Sequence, residues 1–197
     1  KINLSKNIKN STKLNGSFNF KSENFIHNYE TNITEKVNTN DLIFSSNPQI
    51  TKNGFSNNYE FIIKNSNTNS QKSKLHKEGE EFYYSGLIQF NSSYPLVKED
   101  EKNRKLLKPK LSFKFSPGHT KDISKETFKL DVNNIFNLDR ISSNETLEGG
   151  LSLIYGADYI LTEKNNKNEI ISLKFANNLR LNKNDDLEKD YQLGAKT

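Results

Sequence analysis

Two segments near the end of the chain alternate apolar and polar residues for longer than an ordinary sandwich strand does. In the first, Leu151, Leu153, Tyr155, Ala157, Tyr159 and Leu161 fall on one side, and Ser152, Gly156, Asp158 and Thr162 dominate the other. After the polar connection TEKNNKNE, Ile171, Leu173, Phe175 and Leu179 alternate with Ser172, Lys174, Ala176, Asn178 and Arg180. A period of two marks an extended strand with one apolar face. The pair reads as a long antiparallel hairpin. Sandwich strands usually run about 5–6 residues, whereas a strand that crosses a bilayer at a tilt needs about 9–11. Alternating segments of about 10 residues separated by turns are the pattern of an outer-membrane barrel.

Shorter rows recur upstream. Leu14, Gly16, Phe18 and Phe20 share one side, and Phe25, His27, Tyr29, Thr31 and Ile33 form another row. Tyr59, Phe61 and Ile63 alternate with Glu60 and Lys64. Phe82, Tyr84, Gly86, Ile88 and Phe90 follow, then Leu111, Phe113 and Phe115, then Phe128, Leu130 and Val132. Helical periodicity is nearly absent. Polar stretches at 65–80, 97–105 and 116–126 read as solvated loops, the last turned by Pro117 and Gly118. The expected fold class is all-β: antiparallel up-and-down strands forming part of a transmembrane outer-membrane β-barrel. Residues 1–197 are expected to be one partial domain, cut at both ends. The chain opens at Lys1 without Met, and 190–197 reads as a strand barely begun.

Composition fits that architecture better than an ordinary soluble core. Hydrophobic residues are only 32% of the chain, low for a globular domain. A polar chain of this kind can be disordered, but 13 Phe and 8 Tyr, mostly inside the alternating rows, argue for folded strands. A barrel needs apolar residues on only one side of each strand and carries aromatic girdles. No apolar run approaches the roughly 18 residues a membrane-spanning helix requires. The chain has no Cys, which excludes disulfides and thiolate metal ligands within it and leaves the compartment open. The net charge is +5, but the lysines are scattered without a basic stripe, so nucleic acid is not expected as a partner.

No catalytic constellation is legible, and no cofactor or metal site is expected. His27, His76 and His119 are far apart and stand at no ligand spacing. His76 and His119 fall in polar stretches, where a solvated imidazole is the expectation. The carboxylate runs Glu99-Asp100-Glu101 and Asp185-Asp186 lie in charged loops. Gly149-Gly150 is followed by a strand and not a helix, so it is no phosphate loop. Asp139-Arg140 stands out. It is flanked by Phe136, Leu138 and Ile141 in a chain where Arg is otherwise found only at 104 and 180. An exposed ion pair is worth little, but an Arg held by a carboxylate can order a loop rim or brace a lumen wall.

The stretch FNLDRISSNETLEGGLSLIYG resembles a segment in the C-terminal barrel of the LptD family, the lipopolysaccharide-assembly proteins of the outer membrane. The shared pattern is an aromatic residue, a short spacer, Asp-Arg-hydrophobic, a polar stretch, then Gly and a long alternating strand. Here these are Phe136, Asp139, Arg140, Ile141, Gly149-Gly150 and the strand from Leu151 to Leu161. YPLVKED at 94–100 is similar to the family's Pro-Leu-basic segment, and LLKPKLSFKFSPG at 106–118 to its Pro-containing strand. The resemblance covers about 94–161. The family's periplasmic jellyroll and disulfide cysteines have no counterpart in the chain.

The resemblance implies a partial C-terminal barrel domain in the cell outer membrane that transports and does not catalyse. Such a protein receives lipopolysaccharide from periplasmic bridge proteins, passes the sugars through its lumen and releases the lipid sideways into the outer leaflet. A plug lipoprotein, LptE in many bacteria, sits inside the barrel. Partners implied are therefore lipopolysaccharide, outer-membrane lipid, the plug lipoprotein and the bridge proteins. Phe136, Asp139, Arg140, Gly149 and Gly150 are its structural motif. Leu153, Tyr155, Ala157 and Tyr159 are expected to face lipid, with Ser152, Gly156 and Asp158 facing the lumen, so that Leu153→Arg impairs assembly far more than Ser152→Arg. Two other readings fit the strands: another outer-membrane barrel, such as a porin-like channel or a receptor, and a soluble β-sandwich binding module.

Overall fold

The computed structural model describes residues 1–8, 15–29, 32–74, 76–118, 120–121, 130–141 and 143–182. They form a single antiparallel sheet, with no helix among them. The strands are β1 (Ile2–Ile8), β2 (Gly16–Tyr29), β3 (Ile33–Ser46), β4 (Gln49–Ile50), β5 (Ser56–Gln71), β6 (Gly79–Ser93), β7 (Leu96–Glu99), β8 (Asn103–Ser116), β9 (Gly150–Glu163) and β10 (Glu169–Arg180). Their order across the sheet is β1-β2-β3-β5-β6-β8-β9-β10, with the short β4 on β5 and β7 on β8. The sheet is open: β1 and β10 are its edges. The long strands have 12–16 residues, well beyond the sandwich norm of about 5–6.

Register sorts the side chains into two contrasting faces. Phe18, Phe44, Phe61, Ile88, Phe115 and Leu151 lie side by side across six strands. The rings of Phe18 and Phe44 are 4.8 Å apart, and those of Phe44 and Phe61 5.3 Å. One residue along, on the opposite face, the row reads Ser45, Glu60, Gln89, Lys114, Ser152 and Arg180. The polar face is the covered one, because residues 130–141 and 143–149 fold back across it. Among the described residues eight hydrophobic side chains are buried against twenty-one polar or charged ones, while twenty-six large hydrophobics are exposed. This inverts the usual interior.

Several elements depart from the sequence reading. The row from Phe25 to Ile33 is not one strand: β2 runs on from Gly16 to Tyr29, and Ile33 opens β3. Leu14 and Thr31 lie outside the described residues. β1 and β3 were not expected, since β3 carries only Leu42 and Phe44 as apolar residues on its exposed side. Residues 65–71, expected in a loop, continue β5. An amide lattice explains why so polar a run stays extended. Asn40 donates to Asn38 (2.7 Å) and to Asn65 (3.1 Å), Asn38 donates to Asn24 (2.5 Å), Ser22 donates to Asn40 (2.7 Å), and the amides of Asn65 and Asn67 bond each other at 2.9 Å. Cross-strand polar pairs take over where apolar ones end.

Most of 97–105, also expected as a loop, is the tip of the β7–β8 hairpin. Asp100 Oδ1 accepts from the backbone N–H of Lys102 (3.2 Å) and Asn103 (2.7 Å) to make its turn. The last short row is not a strand where it is described. Asp131 Oδ1 accepts from the N–H groups of Asn133 (2.7 Å) and Asn134 (3.1 Å), which coils the chain at Val132. Phe128, His119 and 190–197 lie outside the described residues, and so do 122–126 of the third expected loop.

Candidate functional site: the braced segment on the polar face

The covered side of the sheet offers carboxylates, ammonium groups and hydroxyls, so whatever packs there must be met by hydrogen bonds. Residues 130–141 and 143–149 have no ladder of their own, and side chains of the strands bond backbone carbonyls among them instead. Lys114 Nζ donates to the Asn137 carbonyl at 2.6 Å, Gln89 Nε2 to the Phe136 carbonyl at 2.7 Å, and Lys64 Nζ to the Ser143 carbonyl at 3.0 Å. Lys64 also pairs with Asp41 at 3.1 Å and lies 4.0 Å from Asp139. A small apolar island breaks the polar face: Leu147 packs on Ile62 and Leu87, with Ile43 and Leu138 at its margin.

At the end of the segment the charges converge. Arg140 grips Glu148 in a bidentate pair, with Nε and Nη2 each 2.5 Å from a carboxylate oxygen. Arg180 Nη1 reaches the same carboxylate at 2.6 Å, and its Nη2 donates to the Gly149 carbonyl. Arg140 further donates to Asn178 Oδ1 (3.2 Å) and Ser152 Oγ (3.3 Å). All three charged groups are buried. Burial alone pushes the Glu148 carboxyl up, but Arg140, Lys114 and Arg180 outweigh it and hold it at about 2. Two of the chain's three arginines thus meet at one carboxylate.

The sequence-predicted residues fall around this knot in different roles. Arg140 is central, and Glu148 supplies the carboxylate that clamps it, with Asp139 turned toward Lys64. Gly149 N donates to Thr120 Oγ1 at 2.7 Å, and a Cβ there would stand 2.5 Å from the Gly118 carbonyl oxygen, so the backbones approach too closely for a side chain. Gly150 opens β9 with φ +97°, a left-handed conformation suited to glycine. Phe136 sits apart from the knot, its ring 4.4 Å under Lys110 Nζ. Sequence reasoning missed Glu148, Arg180, Lys114, Lys64 and Gln89. Only the scarcity of Arg pointed to Arg180.

His76 corrects an expectation. It is not a solvated loop imidazole: Nε2 lies 3.0 Å from Glu145 Oε1, and Nδ1 4.0 Å from Glu35. Lys121 Nζ also reaches Glu145, at 3.3 Å, and Tyr83 OH bonds Thr146 Oγ1 at 2.9 Å. The β5–β6 connection is thereby tied to the inner segment. His27 is exposed on β2, opposite Glu35 in register. No three metal-ligating side chains gather among the described residues. No protein-family model matches the chain, and no curated protein sequence matches it.

Proposed function

We propose that the sheet is part of the wall of an outer-membrane β-barrel that inserts lipopolysaccharide into the outer leaflet. The observation that carries the barrel reading is the inversion of polarity between adjacent rows: six apolar residues on the uncovered face, with Ile88 and Phe115 exposed and Phe44 enclosed between the rings of Phe18 and Phe61, and six polar residues on the covered one. A bilayer accommodates the first and a hydrated lumen the second. A soluble sandwich would need a second sheet over the apolar face, and none lies there among the described residues. The open edges β1 and β10 then pair with further strands of the same wall.

The lipopolysaccharide reading is supported by the resemblance over 94–161 and by the way its motif is built. Arg140 and Gly149-Gly150 anchor a segment that lies inside the wall, where it narrows and polarises the path for an anionic glycan. The test is conditional depletion of the full-length protein, following newly made lipopolysaccharide to the cell surface before other barrels decline. Surface arrival that stops while other outer-membrane proteins persist supports the inserter. Unchanged arrival removes it and leaves a channel or receptor.

A further inference from the structure

Below the inner segment, where β8 runs on past β6 toward the β9–β10 turn, the polar face contains a cavity of about 200 Å³. Ser56, Asn58, Ser93, Lys108, Lys110 and Phe136 line it. The residues come from β5, β6, β8 and the inner segment, which closes one side of the cavity with Phe136. Lys110 is committed: its ammonium lies 2.8 Å from Asp158 and over the Phe136 ring. Lys108 is half-buried and stands across the ladder from that same Asp158, but the carboxylate turns to Lys110, and Lys108 makes no ion pair among the described residues. Glu60, the nearest carboxylate on β5, is occupied by Ser45 (3.2 Å) and Asn91 (2.9 Å).

We propose that this cavity binds one sugar ring bearing a phosphate. Its size suits a single ring and falls below the roughly 300–1,000 Å³ of drug-sized sites. The aromatic face of Phe136 gives a sugar ring an apolar surface to lie on. Ser56, Asn58 and Ser93 supply hydroxyl and amide partners, and Lys108 supplies the charge for the phosphate. Lys108, Lys110 and Asp158 together leave the cavity one net positive charge, with Lys108 the ammonium outside the ion pair. The proposal rests on the barrel reading in one respect: the polar face must be the wetted interior.

The test is calorimetric titration of the full-length protein in detergent micelles with a hexose 1-phosphate, the neutral hexose and inorganic phosphate. The hexose phosphate is expected to bind about tenfold or more tighter than either half alone. Lys108→Ala brings it down to the level of the neutral hexose. Phe136→Leu weakens the hexose phosphate and leaves inorganic phosphate unchanged. Lys36→Ala, an exposed lysine on the other face, changes nothing. Equal binding of neutral and phosphorylated hexose, or an unchanged Lys108→Ala variant, overturns the site. Competition by phosphorylated oligosaccharide cleaved from lipopolysaccharide, but not by its dephosphorylated form, assigns the site to the transported glycan. Binding of the free sugar phosphate alone leaves the site standing while the transport reading falls.

Discussion

Two rows of the same sheet, one residue apart, follow opposite rules. The row from Phe18 to Leu151 is apolar and holds its neighbours by ring contact. The row from Ser45 to Arg180 is polar and holds the inner segment by charge-assisted hydrogen bonds. On the first, size is negotiable and charge is not. On the second, charge is required, but only where its partner stands. The difference shows that this sheet is specified by polarity on both sides and not by one apolar core: only eight hydrophobic side chains are buried among the described residues.

The sharpest way to break the contrast is to remove the carboxylate from the covered row's knot. Glu148→Gln leaves Arg140 and Arg180 buried without their counter-charge. Loss of one partner of a buried pair costs about 3–5 kcal/mol, so amide protons of 131–149 should lose most of their protection from exchange. Acid has the same target. The Glu148 carboxyl is held at about 2 in the fold, below its usual 4.5. Its contribution is therefore full above pH 4.5 and is lost as the pH falls toward 2. Protection of the segment that is flat from pH 7 to 2 contradicts the knot.

The exposed row is tested by charge. Leu153→Arg against Ser152→Arg, the comparison the sequence invites, is the wrong pair. Ser152 is buried 3.3 Å from Arg140, so an arginine there meets an arginine. Leu173 and Ser172 separate the faces cleanly, because the inner segment leaves both exposed. Leu173→Arg should cost about 2–4 kcal/mol in refolding into vesicles if it sits near the bilayer midplane, with Ser172→Arg near zero. Equal costs would falsify the lipid-facing assignment.

Smaller effects sharpen the picture at the joints. Gly150→Ala forces a side chain into a left-handed backbone with a Cβ 2.7 Å from Arg180 Nη2, a loss of about 1–3 kcal/mol in the denaturation midpoint. Asn67→Ala removes one member of a half-exposed lattice and should cost about 1 kcal/mol or less. A larger loss there would mean that the amide lattice, and not the aromatic band, holds β3 to β5.

The sequence carried the strands whose alternation pairs apolar with polar. β9, β10 and the centres of β5, β6 and β8 were legible for that reason. β3 and the second half of β5 were not, because Asn38, Asn40, Asn65 and Asn67 replace the apolar partner with side-chain amides and the periodicity vanishes into polar on polar. The site was legible in part. Arg140 and the two glycines could be singled out locally, but Glu148 and Arg180 matter through a meeting of residues 32 apart in the chain. No local pattern encodes which carboxylate an arginine will choose.

The most direct test of the central claim labels β10, in a full-length background from which any cysteine outside residues 1–197 has been replaced by serine; these residues contain none. Single cysteines at 171–176 of β10, spin-labelled in the full-length protein in bilayers, report access to oxygen and to a water-soluble nickel complex. The account predicts a period of two: high oxygen access at 171, 173 and 175, and high nickel access at 172, 174 and 176. Nickel access that is high and equal at all six positions places the apolar face in water and contradicts the membrane wall.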